Sequence, residues 1–248
     1  MGALHEGHLS LVRETRKRCG RTIVSIFVNP AQFAPHEDFD RYPRDRDADL
    51  AKLGDLADLV FAPSVGEIYP DGFSTRIEVG GPSVGLETDF RPHFFSGVAT
   101  VVAKLLLAAA PDYAIFGEKD YQQLLVIRRL AADLALPVEI AGGAILREAD
   151  GLAMSSRNAY LSADERKIAG RLNLVLRDTA TRLQHGDPPN IAEEYARSAL
   201  LEAGFNAVDY AAVRDAETLS PVSNLSRPAR ILAAVKIGAT RLIDNVTA

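Results

Sequence analysis

The segment Thr22–Val28, TIVSIFV, constrains this chain more than any other, because it is apolar and β-branched almost without interruption. A strand with one wet face alternates apolar and polar residues; a run of this kind fits a strand covered on both faces, as in a parallel sheet flanked by helices. Shorter apolar runs recur at Leu59–Ala62, Tyr113–Phe116 and Val138–Ala141, each separated from the next by a helix-length or loop-rich stretch. That rhythm predicts an α/β fold. Helices are expected over Leu9–Cys19, Asp47–Leu56, Gly97–Ala110 and Tyr121–Leu134, with Pro111 and Pro137 ending the last two. The Gly- and Pro-rich region from Pro63 to Pro92 holds one alternating strand candidate, Thr75–Val79, and is expected to form loops around a site.

Beyond about Ala144 the pattern changes. Long helical segments at Ala163–Gln184 and Ile191–Ala203 flank the breaker Gly186-Asp187-Pro188-Pro189, and strand-like runs follow at Ala207–Val213, Arg230–Lys236 and Arg241–Val246. The expected organisation is a parallel-sheet domain over residues 1–145 and a smaller C-terminal α+β domain over 146–248.

A net charge of −5 argues against broad adhesion to nucleic acid, which favours a basic surface. The single cysteine, Cys19, forms no internal disulfide, and no Cys/His cluster has structural zinc spacing. The longest apolar run, Val98–Ala110, is interrupted by Lys104 and is too short to cross a bilayer. With no charged leader followed by an apolar segment, the expectation is a soluble cytoplasmic protein with no membrane partner.

The chain opens MGALHEGH, directly before a helix whose Leu9 and Val12 share a face, so His5 and His8 sit at or near a helix N-terminus. Unpaired N–H groups and the helix dipole attract anions there, and Gly7 permits close approach of a phosphate. A zinc-protease reading fails because its histidines stand at i and i+4 around the glutamate, whereas these are three apart. Either histidine alone reads better as a helix-capping or partly buried residue; only the pair together with its partners shifts that reading.

Other segments carry compatible chemistry. Asn29 and Gln32 follow the buried strand, and open parallel sheets bind ligands beyond the carboxyl ends of their strands. Gly117-Glu118-Lys119-Asp120 lies between a strand and a helix, where Lys119 has access to anionic oxygen, and Gln123 comes one turn later. Met154-Ser155-Ser156-Arg157 offers hydroxyls and a guanidinium suited to phosphate, although an isolated Ser-Ser-Arg is usually a surface loop. Phe33, Tyr42 and Phe73 suit either an organic-acid pocket or plain core. There is no P-loop, dinucleotide fingerprint or serine-nucleophile elbow.

HEGH resembles the His-x-Gly-His signature of the nucleotidyltransferase superfamily. With SIFVNPAQF (Ser25–Phe33), DFDRYPRD (Asp38–Asp45), FGEKDYQQ (Phe116–Gln123), READGLAMSSRN (Arg147–Asn158) and ILAAVKIGATRLIDN (Ile231–Asn245), the wording and order resemble the pantothenate synthetase family over essentially the whole chain. The resemblance implies a Rossmann-like sheet, a homodimer, and ATP-dependent condensation of pantoate with β-alanine through an acyl adenylate, with Mg²⁺ accompanying ATP as substrate. It assigns His5, His8 and Lys119 to catalysis. ATP contacts are carried over to Met1, His5, His8, Gly117, Glu118, Lys119, Asp120, Leu146, Met154, Ser155, Ser156 and Arg157; substrate contacts go to Asn29, Gln32, Tyr42, Arg91 and Gln123. Asp47 and Asp49 are weak metal candidates. Two departures accompany it. His93 in Arg91-Pro92-His93-Phe94 sits one place earlier than the family pattern, and the family carries a first central strand ahead of this methionine. A sheet lacking that strand is expected to expose edges on both sides of a gap, and a chain extended upstream is expected to be more stable and more active. The rival readings are another adenylyltransferase of the superfamily and a nucleotide-binding remnant.

Overall fold

The computed structural model describes residues 2–34, 37 and 39–248, which fall into two compact units. The first comprises Met1–Glu118 and Gln122–Ala144; the second comprises Lys119–Tyr121 and Ile145–Ala248.

In the first unit the elements are α1 (Glu6–Arg18), β1 (Ile23–Ser25), α2 (Arg46–Leu53), β2 (Leu59–Phe61), α3 (Val65–Ile68), α4 (Glu87–Phe90), α5 (Phe94–Ala109), β3 (Tyr113–Gly117), α6 (Tyr121–Asp133) and β4 (Glu139–Gly143). All pairing here is parallel, as the apolar runs require: β1 with β2, from Ile23 opposite Leu59 to Ser25 opposite Phe61, and β3 with β4, from Tyr113 opposite Glu139 to Gly117 opposite Gly143. Among the described residues these are two separate pairs, not one continuous sheet.

The core of this unit lies around α5 and α6. Along α5, Phe95, Val98, Ala99, Val101, Val102, Ala103 and Leu106 are buried, and they pack with Val126, Ile127 and Leu130 of α6. Each of the Val, Ile, Leu and Phe side chains removed from water contributes roughly 1.5–3 kcal/mol, which is why a helix this apolar is stable only when enclosed. It ends at Ala110, whose φ of 43° breaks the helical path just before Pro111.

Two expectations are corrected. The run Thr22–Val28 is not covered on both faces throughout: Ile23 is 46% exposed, and its neighbours Leu59 and Phe61 are also exposed, because β1 has a strand partner on one edge only among the described residues. Thr75–Val79 forms no strand. The backbone N–H of Ile77 donates to Thr100 Oγ1 at 3.0 Å instead of a neighbouring strand, so this segment is strapped to α5 through a side chain.

In the second unit, α7 (Ala163–Ala169), α8 (Arg171–Gln184) and α9 (Pro189–Glu202) precede β5 (Ala207–Asp215), β6 (Ala229–Ile237) and β7 (Thr240–Thr247). The three strands form an antiparallel sheet in the order β5-β6-β7. The single helix expected over Ala163–Gln184 is divided at Gly170, where an added Cβ would meet Asp150 Oδ2 at 2.6 Å. Leu172, Leu176, Leu200, Ile231, Val235 and Ile237 form the centre of this unit's core. No helix among the described residues is long and apolar enough to cross a membrane.

Candidate functional site

In the first unit, His5 is the N-cap of α1 in extended backbone conformation. The rings of His5 and His8 lie 3.9 Å apart, centroid to centroid. The His5 backbone N–H donates to His8 Nδ1 at 3.3 Å. A neutral imidazole that accepts at Nδ1 carries its proton on Nε2, so this contact presets His8 as an Nε2–H donor. Met1 lies outside the described residues, as does Asp38 at the start of the Asp38–Asp45 segment.

The path into this helix start is fixed from a distance. Asp49, on α2 and 1% exposed, accepts the backbone N–H of Ala3 at 2.9 Å and of Leu4 at 2.6 Å, while Lys52 Nζ donates to the Leu4 carbonyl at 2.7 Å. Ala3 is held at φ 53°, a region L-residues avoid. Asp49 thereby anchors the histidine segment, each of its oxygens accepting one backbone N–H. Asp47 is exposed, and no group of three or more His, Cys, Asp or Glu able to hold a metal occurs among the described residues. Removing the anchor leaves two N–H groups without their charged acceptor, so Asp49→Ala is expected to lower unfolding stability by about 3 kcal/mol. An unchanged urea midpoint would contradict that role.

Asn29 and Gln32 bracket a short 3₁₀ turn, Pro30–Gln32. Asn29 is 2% exposed: its Nδ2 donates to the Gly97 carbonyl at 3.0 Å, and its Oδ1 accepts from Ala31 N–H at 3.2 Å and from the Tyr69 hydroxyl at 2.7 Å. Burial pushes the Tyr69 hydroxyl up, so it stays protonated and donates. Asn29 therefore shapes the turn and retains a single N–H for a ligand. The side-chain amides of Gln32 and Gln123 have no hydrogen-bond partner among the described residues. Gln122, one place earlier, is the buried amide: it donates to Pro82 and Gly85 carbonyls and accepts from Glu87 N–H.

Arg91 is engaged on all sides. It pairs with both oxygens of Glu37 at 2.6 and 2.7 Å, donates to the Gln32 carbonyl at 3.0 Å and lies over the Phe94 ring. The structure thus uses it to hold the Gln32 turn. Tyr42 meets Phe33 edge-on, whereas Phe73 packs on Tyr69, so the three aromatic candidates divide between two clusters. His93 precedes α5, with a buried Nε2 that finds no partner among the described residues.

Gly117 closes β3 and Glu118–Asp120 form a 3₁₀ turn leading into α6. Within the second unit, Lys119 is half-buried and its ammonium makes no ion pair among the described residues, so the internal Lys119–Asp120 pairing that a charged connector would permit is not formed. The Leu146 carbonyl accepts from Met154 N–H at 2.9 Å. Ser155 caps the turn Ser156–Tyr160 by accepting Arg157 N–H at 3.3 Å. The base of this loop is pinned by Asn158, which donates to Glu148 and to the Ala153 carbonyl, and by Arg166, which pairs with Glu148 and Asp150. The hydrogen bond from Arg166 holds the Asp150 carboxyl below the usual carboxylate range.

No local sequence signal marks Asp49, Tyr69 and Gly97 for these roles: Asp49 acts on residues 45 and 46 positions away.

The family profile described as Pantoate-beta-alanine ligase matches residues 1–247. A pantothenate synthetase of Mesorhizobium japonicum is 58% identical over 247 residues, covering 99% of this chain and 87% of the relative. A crystal structure of pantothenate synthetase from Thermus thermophilus superposes with a TM-score of 0.95 at 47% identity, over 99% of this chain and 90% of that one. A pantoate-beta-alanine ligase of Francisella tularensis, described as complexed with beta-gamma ATP and beta-alanine, has a TM-score of 0.83 at 35% identity, over 100% of this chain and 87% of its own.

Proposed function

The chain belongs to the pantoate-beta-alanine ligase family, and from that premise we infer which of its residues carry each step of the family reaction. The enzyme condenses pantoate with β-alanine in an ATP-dependent reaction. In the first step a pantoate carboxylate oxygen attacks the α-phosphorus of ATP and pyrophosphate leaves. In the second the β-alanine amine attacks the acyl carbon, the amine loses a proton, and AMP departs with the electron pair of the broken acyl–oxygen bond.

No covalent enzyme intermediate is required, so the work of the protein is positioning and charge stabilisation. His8 donates from Nε2 to a phosphate oxygen, His5 completes the helix-start site, and Lys119 supplies its ammonium charge. Gly117, Glu118, Asp120 and Leu146 line the nucleotide, and Met154, Ser155, Ser156 and Arg157 wrap its outer phosphates. Gln32 and Gln123 hold pantoate through their unengaged amides, with Asn29 and Tyr42 beside them and Arg91 fixing the turn. The observation that carries this reading is that Lys119, Gln32 and Gln123 keep their polar ends unpaired among the described residues.

Mg²⁺ enters as part of the nucleotide substrate, held mainly by phosphate oxygens. The reading assigns nucleotide and pantoate binding to residues 1–145 and a lid role to 146–248. It extends to a cytoplasmic homodimer, which sedimentation velocity tests.

Pyrophosphate release with ATP and Mg²⁺, omitting pantoate and β-alanine in turn, is the decisive measurement. Release is expected to need pantoate, and AMP plus an amide is expected only when β-alanine is added. A stable nucleotidyl product would favour another adenylyltransferase; ATP binding with no pantoate-dependent release would favour a remnant.

A further inference from the structure

Lys119–Tyr121 interrupt the sequence of the first unit yet belong to the second, and the contacts that hold them come from the C-terminal sheet. Asn245 of β7 is 2% exposed, and its Nδ2 donates to the Lys119 carbonyl at 3.0 Å. Its Oδ1 accepts from Arg230 Nη1 of β6. The amide has only one orientation in this setting, because a guanidinium solely donates and a carbonyl solely accepts. Arg230 in turn stacks on the Tyr121 ring with Cζ 3.8 Å from its centroid, and the Tyr121 hydroxyl donates to the Ala216 carbonyl at 2.7 Å. The lysine backbone and the residue two places on are therefore clamped by the same sheet.

A lysine side chain is a charge on a flexible stem, and fixing its backbone limits where that charge is delivered. We propose that Asn245 is a positioning residue for Lys119, its amide orientation locked by Arg230. The proposal rests on the assignment of Lys119 to adenylate formation.

A double-mutant cycle in single-turnover adenylate formation separates this from a role in sheet stability alone. Asn245→Ala is expected to slow the step about tenfold, as loss of a single geometry-setting hydrogen bond would, with the KM for β-alanine within about twofold of wild type. In a Lys119→Ala background the same change is expected to have no further effect, because its only route is through the lysine. Multiplying effects in the two backgrounds would overturn the proposal, as would an unchanged rate in Asn245→Ala. If Asn245→Ala fails to fold, Asn245→Asp retains the volume and the pairing with Arg230 while losing the donor to Lys119, and the same cycle applies. A wild-type rate for Lys119→Ala by itself would instead remove the assignment of the lysine, a result distinct from multiplicative behaviour.

Discussion

Replacing Lys119 by alanine is expected to slow pantoate-dependent adenylate formation by at least about 10²-fold, and His8→Ala to do the same. The ammonium has no ion pair among the described residues to satisfy it, and a 13-residue helix, α6, begins two positions later. In the role proposed for it, this cation would meet developing negative charge on the transferring phosphate, where preorganised charge acts with little reorganisation. For His8, the contact from the His5 N–H directs the imidazole proton to Nε2, the atom that the proposed role uses as donor. Single-turnover measurement of the adenylate is the appropriate check, since steady-state turnover also includes amide formation and product release. His8→Gln, which retains a terminal N–H donor, should recover part of the loss. Near wild-type rates for both alanine variants would withdraw the two assignments.

Gly97→Ala provides the second large effect, and here two physical rules predict opposite signs. Gly97 lies in α5, where alanine is normally favoured over glycine by about 1 kcal/mol. A Cβ at this position, however, would stand 2.3 Å from the Ala31 carbonyl oxygen and 2.6 Å from its carbon, both backbone atoms that no rotamer change can move. Sterics should win. The turn Asn29–Phe33 must lift away from the helix, which also strains the Asn29 to Gly97 hydrogen bond. The expected outcome is a loss of about 1–3 kcal/mol in stability and a fall in kcat/KM for pantoate on the order of 10²-fold, since Gln32 rides on this turn. The KM for β-alanine should change far less. Increased stability with an unchanged pantoate response would show that the turn is not set by this approach.

Between them these substitutions separate what was legible in the chain from what was not. The parallel sense of the strands follows from apolar runs of strand length alternating with helices, a pattern local enough to read directly, whereas the partners, β1 with β2 and β3 with β4, come from the structure. The placement of HEGH at the start of α1 and of GEKD between β3 and α6 was equally readable, because caps, breakers and periodicity act over a few residues. The strand proposed at Thr75–Val79 failed for want of a partner: alternation indicates a strand only where another strand offers a ladder, and Thr100 took the hydrogen bond instead.

The sequence by itself determined the α/β class, the three strand-like runs of the C-terminal α+β part, and which polar residues had chemistry to offer. Only the tertiary structure decided which of those groups stay available. It committed Asp49 to Ala3 and Leu4, Asn29 to Gly97 and Tyr69, and Arg91 to Glu37, while leaving the Gln32 side-chain amide and the Lys119 ammonium without protein partners among the described residues. Most buried hydrogen-bonding groups find a partner wherever the fold brings one near. Those partners lie tens of positions away along the chain, a distance over which side-chain periodicity carries no information.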